Sequence, residues 1–445
     1  MCMRVLKNIV TVVIAFILIG CSSDDSGDNN QQGNVPNVMT ITLKRLNFDR
    51  ATIEWTRPSN ASSGTVLYEI VLNNQVVREN YQNTEYQFFP LQPQTNYNVI
   101  VTGLDSEGKE TFDQISFTTL EDTRPPAQTY YGSITTSNQS FIDTFPYKNV
   151  TGSITIQGAG ITDLSGLSVL EHVSAGVRIR DTSLENLDGL ENLTSYDIAN
   201  GGGGSLYLAD NDLLTDISGA NNYMAVGRNL DLRGNALLTN ITGVTLNPTL
   251  RRITIREAPI ENLNFLSGVT EVTEDFQLYL LPNLSDASGL SNMVFSGTQY
   301  IMVDIPQLTN LHGSFAPVLP ETNVSFANMD QLTDLNCLTG ATELSRLSML
   351  RLPALSDLSG VGSVERVLDL RFIELQLTHL DDFSNITNSP NNWPIRFYAN
   401  DNPNLTDYCG LTTFMQNTTT NYFSMFGNAY NPNQSQIESP TECSQ

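Results

Sequence analysis

One polar position comes back eleven times in this 445-residue chain, as Asp163, Asn186, Asp216, Asn240, Asn262, Asp286, Asn310, Asp334, Asp357, His379 and Asp407. An apolar residue follows each, from Leu164 to Tyr408. A column of carboxylate and amide oxygens is the kind of donor set a calcium ion takes, because hard cations need several oxygen ligands. Stacked at strand spacing, however, neighbouring carboxylates stand about 5 Å apart and repel by roughly 1 kcal/mol even in water. Only Asp334 and Asp357 are consecutive aspartates in the column, and Asn or His379 interrupts elsewhere. Such interleaving dilutes charge and permits side-chain hydrogen bonds along the stack, so the column reads as structural and no metal is assigned.

Other chemistry is sparse. His172, His312 and His379 are the three histidines, and the repeat spacing sets them on different coils. No phosphate-binding glycine loop, zinc spacing or nucleophile with a recognisable base occurs, so no catalytic residue and no cofactor are expected. With 47 acidic against 22 basic residues and a formal charge of −25, the chain is repelled by phosphate backbones, and nucleic acid is not an expected partner.

The element that positions the column is a repeat. Its steps are mostly 22 to 24 residues, and the two longer ones hold loop insertions, Asn200–Ser205 and Asn388–Pro394. A period this regular means one unit stacked on itself. Each unit has an alternating strand before the column, such as Leu206-Tyr207-Leu208 or Ile253-Thr254-Ile255, whose apolar side chains no single coil can hide. The outward strand positions read Thr155, Arg178, Tyr207 and Asp231 early and Ser348, Asp369 and Arg396 late, with no charged cluster and no aromatic stripe. A Gly or Ser after the column is expected to let the chain bend.

A leucine-rich-repeat solenoid and a right-handed β-helix both fit this pattern. In the former family an Asn lies five residues before the column. That slot is Asn at Asn211, Asn235 and Asn402, but Gly158, Asp181, Glu257 and Glu374 are among its other occupants. The rest of each unit lacks a helical period, which favours a second extended face. The array, residues 128–445, therefore resembles the β-helical L domain of cell-surface receptors, with about eleven coils. Cys337 and Cys409 lie three coils apart, about 14 Å, too far for a disulfide, whose Cα atoms lie within about 7 Å. Cys409 and Cys443 are thus expected to pair and close the open end, leaving Cys337 a buried free thiol.

Residues 35–120 alternate in short runs between turns and read as an immunoglobulin-like β-sandwich. They resemble a fibronectin type III domain through Trp55, Tyr68 and "LQPQTNYNVIVTGLDSEG". The resemblance implies a core Trp55 and a tyrosine corner at Leu91 and Tyr97. No Arg-Gly-Asp loop is present, so a spacer role is expected. Residues 121–127 form a proline-bearing linker.

At the start, Arg4 and Lys7 precede an apolar run too short to span a bilayer, Ile9–Gly20. The tetrapeptide Leu18-Ile19-Gly20-Cys21 resembles the lipobox of bacterial lipoproteins, which implies cleavage after residue 20 and lipidation of Cys21. Residues 21–34 form an acidic tether without apolar residues, similar to the surface-export signal of Bacteroidota lipoproteins. Loss of residues 1–20 removes two basic and no acidic residues, taking the formal charge from −25 to −27.

The expectation is an all-β, lipid-anchored monomer of the cell outer membrane, displayed at the surface. It touches the membrane through its N-terminal lipid and binds or adheres to an extracellular protein or glycan without catalysis. The alternatives are a β-helical polysaccharide-degrading enzyme and an accessory binding protein of a glycan-uptake system. A purely structural envelope scaffold is a third.

Overall fold

The computed structural model describes residues 39–62, 64–122, 128–194, 204–316 and 321–445. The signal segment, Cys21, the tether and most of the linker lie outside the described residues.

Seven antiparallel strands form the first unit: β1 (Ile41–Leu46), β2 (Ala51–Trp55), β3 (Leu67–Leu72), β4 (Gln75–Tyr81), β5 (Glu85–Phe88), β6 (Asn96–Leu104) and β7 (Glu110–Thr118). They make a three-stranded sheet, β1-β2-β5, against a four-stranded sheet, β4-β3-β6-β7. Alternation puts Val99 and Val101 of β6 wholly inside, opposite Ile53 and Ile70. Trp55 packs edge-on to Tyr68 with ring centroids 5.4 Å apart. The Tyr97 hydroxyl accepts the Gln92 N–H at 2.8 Å, which fixes the crossover into β6.

The second unit is a parallel β-helix. Its main sheet follows one strand per coil from Ile134–Thr136 to Thr420–Phe426, thirteen in all among the described residues; two short second-face strands joined to it make 15, and three more form a separate small sheet. At roughly 4.8 Å per rung this makes a rod about 60 Å long. Register is continuous: Ile154, Val177, Leu206, Leu230 and Ile253 stand in one inward row, and Ile156, Ile179, Leu208, Leu232 and Ile255 in the next. Each fully buried Leu or Ile contributes roughly 1.5–3 kcal/mol, and only a stacked neighbour removes its surface from water. The second face is extended rather than helical, as in the pairs Asn149–Val150 with His172–Val173 and Val294–Phe295 with Ser314–Phe315. Short 3-10 turns connect the faces in most coils, with short α-helices at Gln139–Asp143, Asn221–Met224 and Thr412–Asn417.

Cys409 and Cys443 form a disulfide, and the Tyr408 N–H donates to the Cys443 carbonyl at 3.0 Å, so the last segment lies across the open end of the stack. Cys337 is a buried free thiol, and burial pushes its pKa up.

Two expectations are corrected. First, the glycine after the column bends the chain only at Gly189, Gly243 and Gly313, which are left-handed; elsewhere it serves close approach. A Cβ on Gly219 would stand 2.2 Å from the Leu187 carbonyl oxygen of the coil below, and one on Gly289 1.9 Å from that of Leu263. Second, the bend that recurs in every coil lies elsewhere, in a second column of left-handed residues that includes Asp210, Gly234, Leu280, Asn328 and Asp401. The residue after each of these points inward. The interior slot is therefore held by Thr182, Ala258 and Leu375, not by Asp181, Glu257 and Glu374. Where it is Asn, the amides are wholly buried and form ladders: Asn211 Nδ2 donates to Asn235 Oδ1 at 3.1 Å and Asn402 Nδ2 to Asn428 Oδ1 at 2.8 Å.

The sandwich also touches the repeats. Arg50, 6% exposed and paired with the wholly buried Asp49 at 3.0 Å, reaches the Ser174 carbonyl with its Nη2 at 3.4 Å. Its guanidinium also lies 4.7 Å from the centre of the Phe89 ring.

Candidate functional site

The corner column spends its oxygens on the backbone. Asp163, Asn186, Asp216, Asn262, Asp286, Asp334, Asp357 and Asp407 each accept, through Oδ1, the N–H two residues on, at 2.8–3.1 Å. These bonds cap the 3-10 turn that follows, and Asp or Asn suits them because a short side chain mimics a backbone turn. The hydroxyl and N–H of the serine two positions on hold the carboxyls of Asp163, Asp286 and Asp357 below their ordinary pKa. Asn240 accepts from Asn262 Nδ2 at 2.7 Å, and His379 Nδ1 lies 3.5 Å from Asp381. Asn310 occupies the same corner. The three histidines sit apart, with His172 Nδ1 2.8 Å from the Thr194 hydroxyl on the second face.

Side chains with unspent capacity lie instead on the outer face of the main sheet. Its central row reads Thr155, Arg178, Tyr207, Asp231 and Thr254 through five rungs, as expected. Towards the C-terminus it reads Ser348, Arg371, Tyr398 and Ser424. The expected Asp369 and Arg396 belong to the neighbouring outward row, two residues earlier on their strands. Correcting the late part of the row brings out one cluster there, and a second lies in the early part, where the row reads as expected.

At the C-terminal end the Arg371 guanidinium lies 4.5 Å from the centre of the Tyr398 ring, and Tyr398 stacks on Tyr422 at 4.9 Å between centroids with an interplanar angle of 29°. Asp369 fixes this stack from beneath. It accepts Nε and Nη2 of Arg371 at 2.7 and 2.6 Å and Nε of Arg346 at 3.1 Å. The Asp369 carboxylate raises the Arg371 pKa further, so the cation is permanent. Tyr422 is 50% exposed and presents an aromatic face to solvent. Trp393 and Phe426, both largely exposed, flank the same two strands. A flat aromatic surface edged by a fixed cation suits the apolar face of a sugar ring together with its hydroxyl or anionic substituents.

Nearer the N-terminus, Arg178, Tyr207 and Asp231 stand on consecutive rungs, and Arg233 follows two residues after Asp231 on the same strand. Partial burial raises the Asp231 pKa, while Arg233 and Arg178 oppose the shift. Hydrogen bonding with Tyr207 and the field of Asp231 raise the Arg233 pKa. A half-buried carboxyl between two guanidinium groups and a phenol can hold or move a proton.

No protein-family model matches the chain, and no curated protein matches it in sequence. Among solved structures it is similar to the human fibronectin type-III domain of fibronectin type III domain containing protein 3, at 20% identity over 23% of this chain and 99% of that one, with a TM-score of 0.19. It is also similar to pectate lyase PelI from Erwinia chrysanthemi, solved with tetragalacturonic acid, at 8% identity over 76% of this chain and 83% of that one, with a TM-score of 0.16. At such scores neither likeness carries anything about the ligand or chemistry of this chain.

Proposed function

We propose that the protein is a non-catalytic, lipid-anchored surface protein that holds an extracellular glycan on the outer face of its β-helix. The single observation behind this reading is the Arg371–Tyr398–Tyr422 stack, an exposed platform on a long flat face. The order of lipobox, acidic tether, fibronectin type III-like sandwich and L-domain-like repeats supports attachment through Cys21 at the outer membrane, with the rod facing outward. A glycan-uptake accessory role and an adhesive role share this chemistry. Arrayed glycans, followed by titration calorimetry on the best binder, test it. Tyr398→Ala with Tyr422→Ala should weaken binding about tenfold or more, since stacking contributes about 1–3 kcal/mol in comparable aromatic platforms. Unchanged affinity in the double variant, or no retained glycan, rejects this reading.

A second reading, a polysaccharide-degrading enzyme, draws on Asp231, whose raised carboxyl pKa beside Tyr207 and two arginines suits proton transfer. Release of shortened products that stops in Asp231→Asn would put it first.

A further inference from the structure

Where the sandwich meets the β-helix there is an open cleft of about 840 Å³, within the range of sites for small organic ligands. Lys44, Arg45, Arg228 and Arg251 all line it, in a chain whose acidic residues outnumber its basic ones more than two to one. Their partners divide them. Lys44 is held between Glu54, at 3.0 Å, and Glu85, and Arg251 pairs with Glu274. Neither Arg45 nor Arg228 has a carboxylate partner among the described residues. The Arg251 N–H donates to the Arg228 carbonyl at 2.7 Å, so the two arginines stand on adjacent coils. Arg45 faces them from the sandwich. Burial lowers the Arg228 pKa, and the fields of Arg251 and Arg45 lower it further.

Both walls are built on irregularities. In β1, Leu43 faces Ile53 but Arg45 faces Thr52, so one extra residue turns the strand at the cleft. In the solenoid, Leu250 faces Val272 but Arg252 faces Asp275, and the extra residue lies beside Thr273. β-bulges of this kind re-aim side chains next to binding sites. Between the cations the lining is hydroxyl and amide, from Thr52, Gln87 and Thr273.

We propose that this cleft binds a short acidic oligosaccharide, whose carboxylate or sulfate groups meet Arg45 and Arg228 while its hydroxyls meet the Thr and Gln side chains between them. Two guanidinium groups without partners are matched by oxyanions, which they bind through paired N–H donors. A metal cation would be repelled. A long polyanion would meet the acidic remainder of the surface, whereas a short one feels the local field, because charges more than about 8 Å away are largely screened in physiological salt. The site is independent of the aromatic platform on the outer face.

Titration calorimetry on the whole protein tests it with four probes: a hexuronate tetrasaccharide, a sulfated tetrasaccharide, a neutral hexose tetrasaccharide and inorganic sulfate. At least one acidic tetrasaccharide should bind, more weakly as salt rises, and the neutral one should bind about tenfold less well or worse. Arg45→Gln with Arg228→Gln should lose about tenfold or more in affinity, and Arg45→Lys with Arg228→Lys should retain part of it. Arg45→Gln alone, at an exposed side chain, carries the test if the double variant melts early. Tyr398→Ala should leave this affinity unchanged, which separates failure of the cleft from failure of the platform. The proposal is overturned if neither acidic tetrasaccharide binds, if the neutral one binds equally well, or if the glutamine variants bind normally. Sulfate binding as tightly as the tetrasaccharides would overturn it too, leaving a small-anion site.

Discussion

The corner column and the outer strand face both repeat once per coil, yet they differ in what their side chains have left over. At the corner, residue type hardly changes, and in eight of the eleven positions Oδ1 is already bonded to a backbone N–H two residues away. On the outer face the type changes at almost every rung, from Arg178 and Tyr207 to Ser348 and then Arg371 and Tyr398. A position that serves the stack must satisfy the same neighbours in every coil and so keeps one chemistry. A position that faces solvent is released from that constraint. Repetition within a solenoid therefore marks structure, and a break in repetition on an exposed face marks where to look for a ligand.

The sharpest way to break this contrast is to place one charge on each side of the wall. Leu335, the wholly buried partner of the Asp334 corner, should not tolerate Leu335→Asp: an unpaired carboxylate among stacked Leu side chains should cost more than about 4 kcal/mol and abolish cooperative melting. Ser348→Asp, on the outward row, should shift stability by no more than about 0.5 kcal/mol. Chemical denaturation of both variants settles the comparison; equal losses would mean that the outer row also serves the stack. Next in size is Gly289→Ala, whose new Cβ would sit 1.9 Å from the Leu263 carbonyl oxygen. The coils would have to part there, and a loss of about 3 kcal/mol is expected. The same change at Gly268, where nothing lies within 4 Å, should be close to neutral.

Much of the stack was legible from sequence because its causes are local and periodic. An inward Leu after a polar corner needs only its own coil and the next, and the 22- to 24-residue period exposes both. The placement of Cys409 beside Cys443 follows from counting coils. The C-terminal outer cluster was hidden for a specific reason. Side chains in a strand alternate with period two, so a slip of two residues keeps every side chain on the correct face and moves it only along the strand. Reading Asp369 and Arg396 in place of Arg371 and Tyr398 violates no alternation, and it conceals the aromatic stack. The left-handed column was hidden because Glu257, Leu280 and Arg351 carry no turn signal. The cleft required the relative placement of two units, which no local pattern encodes.

Acid should separate the corner from the rest of the surface with a smaller effect. Asp163, Asp286 and Asp357 have folded-state pKa values below the ordinary aspartate value of 3.8. The stabilisation they give is therefore complete above that value and is lost as pH falls through their folded values. Asp105 in the sandwich, which accepts the N–H groups of Ser62, Glu107 and Lys109, is lowered to about 2, so its share is lost between pH 3.8 and about 2. The share of stability these four carboxylates give should thus fall on acidification below about pH 4, whereas Asp231, whose pKa burial raises, acts in the opposite sense as pH rises from there. Asp286→Ala should lose about 1 kcal/mol at pH 7, as for a missing helix cap, and should flatten part of the acid slope. A slope unchanged in that variant would mean that the corner carboxylates are not what acid attacks.

The smallest expected effect has the opposite sign and concerns the left-handed column. Leu280 has φ +52°, a conformation that costs an ordinary L-residue roughly 1–2 kcal/mol, and its side chain is 40% exposed, so little burial offsets the strain. Most rungs of this column place Asp, Asn or Gly there, which adopt the conformation at lower cost. Leu280→Asn should therefore stabilise the β-helix by about 0.5–1 kcal/mol, read as a raised denaturation midpoint at unchanged m-value. Leu280 also borders an apolar groove with Pro259, Pro282 and Pro306. If the substitution proves neutral or destabilising, the exposed leucine contributes contacts in that groove that outweigh its backbone strain, and the left-handed column ceases to be purely structural at that rung.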